Sequence, residues 1–160
     1  MSLTRDEVMR RVHSAYDAMI ADDITLLEVD ANERSLTHKL AEHIQFEFPE
    51  WDVDCEYNRD CDNVKRMNWS VTTVKTDDTE GKTVFPDIIV HHRKTNDNLI
   101  VLEAKKSTTS RTGDDEQKLK AYKSQLGYRF AIAVVFPVDT ASQSANSEKD
   151  IMEVGDESNR

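Results

Sequence analysis

Glycine is scarce in this 160-residue chain, with four in all, and proline is scarcer, with three. So few glycines leave no phosphate-cradling glycine loop, and no G-x-S-x-G elbow occurs, which removes P-loop and serine-esterase chemistry from consideration. The only cysteines, Cys55 and Cys61, are separated by five residues and lack a second Cys/His pair at ligand spacing. They make a poor zinc site and read as reduced bystanders. No apolar run approaches the length needed to cross a membrane. The opening Met-Ser-Leu-Thr-Arg-Asp-Glu also lacks the basic and then apolar layout of a secretory signal, so the expected location is the cytoplasm.

Positive charge is short as well: 21 Lys and Arg face 31 Asp and Glu, a net charge of -10. Because phosphate binding is driven by Lys and Arg, the total argues against nucleic acid. The distribution reverses that judgement. From Arg93 to Arg129 nine basic residues face five acidic ones, and much of the acidity lies near the C-terminus. The length suits a single domain over 1–137, with 1–30 as an N-terminal helical extension, 31–137 as the core and 138–160 as a disordered acidic tail.

Thr4 and Glu7 form a capping box, and Val8, Val12, Ala15 and Met19 recur at helical spacing, which predicts an amphipathic helix to about Ile20. Residues 22–29 are open between a short strand and a turn. Leu36, Leu40 and Ile44 predict a second helix from Asn32 to Phe48, ended by Pro49. Glu33 falls on the apolar face of that helix. Either it completes a capping box with Asp30 as N-cap, or it belongs to a site.

Trp51, Val53, Cys55 and Tyr57 alternate with acidic residues, as in a strand with one buried face. A polar connection follows, in which Trp69 to Lys75 is a candidate additional strand and Asp77 to Gly81 a turn; Lys65, Arg66 and Trp69 read mainly as solvated loop. Asp114 or Asp115 caps a third helix carrying Leu119, Tyr122 and Leu126, with Gly127 at its end. Phe130 to Phe136 reads as a strand buried on both faces and stopped by Pro137. The class is α/β, with a mixed sheet of four to five strands flanked by helices.

The stretch from Phe85 to Lys105 organises the rest. It reads as two apolar strands joined by a polar turn near Asn96, yet it contains Asp87, Glu103 and Lys105. An unpaired charge in a strand interior costs several kcal/mol or more. A turn there sets Asp87 opposite Glu103, Ala104 or Lys105, while Glu103 and Lys105, two apart, share a face. Two carboxylates so close repel, and a divalent cation allows both to be ionised at neutral pH. Oxygen donors of this kind suit Mg²⁺ or Mn²⁺, with the Ala104 backbone carbonyl as a further ligand. Metal-activated water beside a lysine is chemistry for hydrolysing a phosphodiester.

Pro86-Asp87, fifteen intervening residues and Glu103-Ala104-Lys105 resemble the motif of the PD-(D/E)XK nuclease superfamily. The resemblance spans roughly Asn32 to Phe136 and implies a restriction-endonuclease-like core in the order helix, three strands, helix, strand. It implies a nuclease cutting DNA, with Asp87 and Glu103 as metal ligands, Lys105 as the catalytic lysine and Glu33 as an auxiliary carboxylate. Glu42, Glu47 and Glu56 compete for that third position. Some exonuclease branches add a Gln and a Tyr four apart on the next helix; here Gln117 and Tyr122 are five apart, and Lys118 stands at the matching place. Lys106, Arg111, Lys118 and Tyr122 are the expected nucleic-acid contacts. Cutting both strands of a duplex calls for two sites, which a homodimer or a larger complex would supply. The alternative is a binding module that keeps the fold without catalysis. His91 and His92, adjacent on a strand, face opposite ways and cannot share one metal.

Overall fold

The computed structural model describes residues 2–57, 85–109, 113–138 and 144–155, together with the backbone of Arg59–Asp60, Asn63–Val64, Arg66–Met67 and Lys82–Thr83. The candidate strand at Trp69 to Lys75, the turn at Asp77 to Gly81, and Cys61, Lys65 and Arg111 lie outside the described residues.

The helices are α1 (Arg5–Glu28), α2 (Glu33–Glu47), α3 (Gly113–Leu126) and the short α4 (Ser147–Asp150). Five strands, β1 (Asp52–Cys55), β2 (Ile88–His91), β3 (Asn98–Lys106), β4 (Phe130–Phe136) and β5 (Ile151–Val154), form one sheet in that spatial order. β1, β2 and β3 run antiparallel in sequence, β4 is parallel to β3, and β5 is antiparallel to β4. The parallel step is possible because α3 carries the chain back between β3 and β4.

Strand alternation divides the sheet between two apolar layers. Ile88, Val90, Ile100, Leu102, Ile132 and Val134 face α1 and α2, while Ile89, Val101, Ala131 and Ala133 pack with Leu119 and Tyr122 of α3. Glu103 and Lys105 share parity with Val101 and belong to the α3 side. Ala104 and Lys106 belong to the other.

Several local expectations change. The first helix does not stop near Ile20: it continues to Glu28 through a local break at Asp23 (φ -117°, ψ 21°), and its buried Leu27 joins the core. Far from a detached extension, α1 contributes Val8, Val12, Ala15, Tyr16 and Met19 to the same core. Asn32, not Asp30, caps α2, its side chain accepting from the Ser35 N–H at 2.9 Å. Glu33 is therefore the first residue of the helix, out of the capping-box position. The third helix begins at Gly113, so Asp114 and Asp115 lie inside its first turn, where the helix dipole favours acids.

The expectation of a disordered tail over 138–160 does not hold for 144–154. Ile151 and Val154 are buried, and β5 extends the sheet beside β4. The buried Asp150 accepts from the Tyr16 hydroxyl and from the Asn146 N–H, and Glu153 pairs with Arg5 at 2.6 Å. A run of Ser, Asn and Glu looks unable to fold by itself, but it acquires partners on a helix some 134 residues earlier.

Candidate functional site

β2 and β3 pair Ile88 with Leu102, and the next step of the same register sets Asp87 against Glu103. Pro86 is buried and brings Asp87 to the strand entrance. Asp87 Oδ2 accepts the Ala104 N–H at 2.8 Å, and its carbonyl accepts the Glu56 N–H at 3.2 Å, so neighbouring strands hold the residue on both sides. Because N–H and C=O of one strand residue face the same neighbour, the Ala104 carbonyl is turned toward Asp87 as well.

Glu103 sits under α3. Lys118 Nζ and Tyr122 OH both approach its Oε1, each at 3.1 Å. Lys118 and Tyr122 are four apart on the helix, and the ammonium lies 5.7 Å from the centre of the tyrosine ring. Burial raises the Glu103 carboxyl to about 8, the charge of Asp87 adds to this, and Lys118 opposes it. A hydrogen bond with Asp87 also favours the protonated form. Near neutral pH the Glu103 carboxyl therefore favours its protonated form. Burial, followed by the charge of Glu103, pushes the Tyr122 phenol up, so it stays a hydrogen-bond donor.

Lys105 shares the face of Glu103, but its Nζ lies 2.5 Å from Asp115 Oδ2. Lys106 faces the other way and ties the α1–α2 connection, donating to Asp30 Oδ1 at 2.7 Å. Alternation along β3 sends it into this ion pair, on the face opposite Glu103. Tyr122, expected as a nucleic-acid contact, is corrected. It is fully buried beneath Lys118 and offers no surface to a strand of DNA.

Glu33 is half-buried and lines a cleft of about 200 Å³ with Thr37, Cys55, Glu56 and Asp87. The helix start thus brings Glu33 to the cleft that Asp87 borders. Glu56 shares this cleft and is paired with Arg34 at 3.4 Å. Glu42 is spent on surface pairs with His38 and Lys39, which removes it as a third carboxylate. Burial, then Asp54, Asp87 and Glu56, raise the Cys55 thiol, which disfavours the thiolate. Among the described residues no group of three or more His, Cys, Asp or Glu side chains is close enough to hold a metal ion.

His91 and His92 do face opposite ways: the first meets Asp54 at 2.7 Å, and the second meets Asp97 and stacks on Trp51 at 4.0 Å. The sequence offered Asp115 only as a candidate cap of α3 and carried no signal for its pairing with Lys105. The link between Lys118 and Glu103 had a weak signal, the four-residue spacing to Tyr122. No protein-family model, no curated protein and no solved structure matches the chain.

Proposed function

We propose that the chain is a Mg²⁺-dependent nuclease acting on DNA, built on a restriction-endonuclease-like core. The observation that carries the proposal is the pair Asp87 and Glu103, adjacent across two strands, with Glu103 raised to about 8 by burial and by its neighbour's charge. A site that works against its own ionisation is suited to a cation that relieves the repulsion. The order α2, β1, β2, β3, α3, β4 supports the same reading, since it is the order implied by the Pro-Asp and Glu-x-Lys resemblance.

The donor set fits the ion. Mg²⁺ commonly binds through one or two carboxylates, keeps several waters and takes further oxygens from substrate phosphates, so a third protein carboxylate is not required. Asp87 and Glu103, with the Ala104 carbonyl, would hold it; Mn²⁺ suits the same oxygens. When bound, the ion supplies an acidified water and neutralises charge on the phosphate.

The chain's own residues do the rest. The Ala104 N–H fixes the Asp87 carboxylate, and Tyr122 fixes that of Glu103. Lys105, restrained by Asp115, stands two residues from Glu103 on one face, where its ammonium can orient water and stabilise charge developing on the phosphate. Glu33, across the cleft from Asp87, serves as the auxiliary carboxylate.

A binding module without catalysis is the second reading, favoured by the pairing of Lys105 with Asp115 and by the net charge of -10. The test uses purified protein with plasmid, branched and single-stranded DNA, with and without Mg²⁺. Metal-dependent cleavage that vanishes in Asp87→Ala is the expected result. Cleavage persisting in that variant would reveal a contaminant, and Mg²⁺ and Mn²⁺ both failing to bind in calorimetry would favour the binding module.

A further inference from the structure

The Glu-x-Lys pattern assigns the ammonium nearest the carboxylate pair to Lys105, but the geometry points to Lys118. Glu103 Oε1 is met at 3.1 Å by Lys118 Nζ, whereas Lys105 Nζ is held on Asp115 at 2.5 Å. Tyr122, the other group on that oxygen, is fully buried. The Lys118 side chain is 29 % exposed and lies along the tyrosine ring, so it alone of the two can swing toward solvent without opening the core.

Lys118 acts as a displaceable cation. In the metal-free protein its ammonium occupies Oε1 of Glu103 and screens part of the repulsion from Asp87. A divalent ion on Asp87 and Glu103 must compete for the same lone pairs and repels a like charge, so Lys118 leaves Oε1 as the ion arrives. A phosphodiester bound at the ion then offers the freed ammonium a new anionic partner on the same side of the sheet. Lys105 remains with Asp115 throughout. The inference rests on the nuclease proposed above and adds which lysine responds to the metal.

The experiment measures Mn²⁺ affinity of the full chain by electron paramagnetic resonance at pH 8, in wild type, Lys118→Met, Lys118→Arg, Lys105→Met and Asp87→Ala. Far-UV circular dichroism checks that each is folded, and Lys118→Gln provides a second neutral variant. Lys118→Met and Lys118→Gln should bind Mn²⁺ about tenfold more tightly, because the ion no longer breaks a charge-assisted hydrogen bond. Lys118→Arg and Lys105→Met should stay near wild type, and Asp87→Ala should lose binding. At saturating Mn²⁺, Lys118→Met should nevertheless cleave DNA more slowly than wild type. That opposite movement of affinity and rate is not expected of a residue that only holds α3 in place. Unchanged or weaker Mn²⁺ affinity in both neutral variants overturns the role of Lys118; if wild type still binds Mn²⁺ and Asp87→Ala does not, the nuclease proposal stands. No Mn²⁺ binding by wild type overturns both.

Discussion

Replacing Glu103 by Gln should stabilise the metal-free protein, and by more as the pH rises. In the folded chain the Glu103 carboxyl titrates at about 8, against 4.5 for an ordinary glutamate. Between those values the native state holds a proton that the unfolded state has released, so the wild-type stability contributed by this group falls as pH increases. It is fully present below 4.5 and fully lost above 8. At about 1.4 kcal/mol per pH unit the loss approaches about 3 kcal/mol at pH 7 and about 5 kcal/mol above pH 8. Glutamine keeps an acceptor for Lys118 and Tyr122, carries no charge to desolvate, and ends the repulsion with Asp87. Urea unfolding in EDTA at pH 5, 6, 7 and 8, followed by far-UV circular dichroism, should show the variant's advantage growing from near zero to several kcal/mol. Because the charge of Asp87 and its hydrogen bond help raise Glu103, this difference reports on that contact as well as on burial. Parallel curves for wild type and Glu103→Gln across that range would refute the raised carboxyl and, with it, the physical basis of the metal proposal.

Other substitutions probe the scaffold. Lys106→Met should cost about 1 kcal/mol in urea unfolding through loss of the Asp30 pair, and leave retention of labelled DNA on a filter unchanged. Tyr16→Phe removes a donor from the buried Asp150 and should lower stability by about 1 to 3 kcal/mol, with exchange of the β5 amides accelerating first. Gly127→Ala places a side chain at φ +69°, with open space around it, so backbone strain alone should cost about 1 kcal/mol in thermal unfolding.

The hairpin was legible because two continuous apolar runs flank one polar turn. With Ile88 and Val90 facing one layer and Ile89 the other, both runs read as strands buried on two faces, while the turn left Asp87 opposite Glu103, Ala104 or Lys105; the observed register, with a shift between Val90 and His91, selects Glu103. The same parity separates Lys106 from Lys105, so the face it takes could have been deduced from β3 alone, whereas its pairing with Asp30 could not. β5 was not legible. Ile151-Met-Glu-Val154 is four residues long in polar surroundings, too short to reveal a period, and its burial depends on β4 and on Tyr16. Asp115 was equally hidden, since its pairing with Lys105 depends on how α3 crosses the sheet.

By itself, the sequence determined where apolar periods run, hence the helices, the central strands and the face each side chain takes. It also placed two carboxylates where pairing must bring them together. Only the tertiary structure decided which cations reach them. Long lysine side chains have no preferred neighbour until helices are docked; α3 then delivers Lys118 to Glu103 and Asp115 to Lys105, while α1 and α2 claim Lys106 through Asp30. Burial follows strand periodicity, which is local, whereas charge pairing follows the distances set by packing.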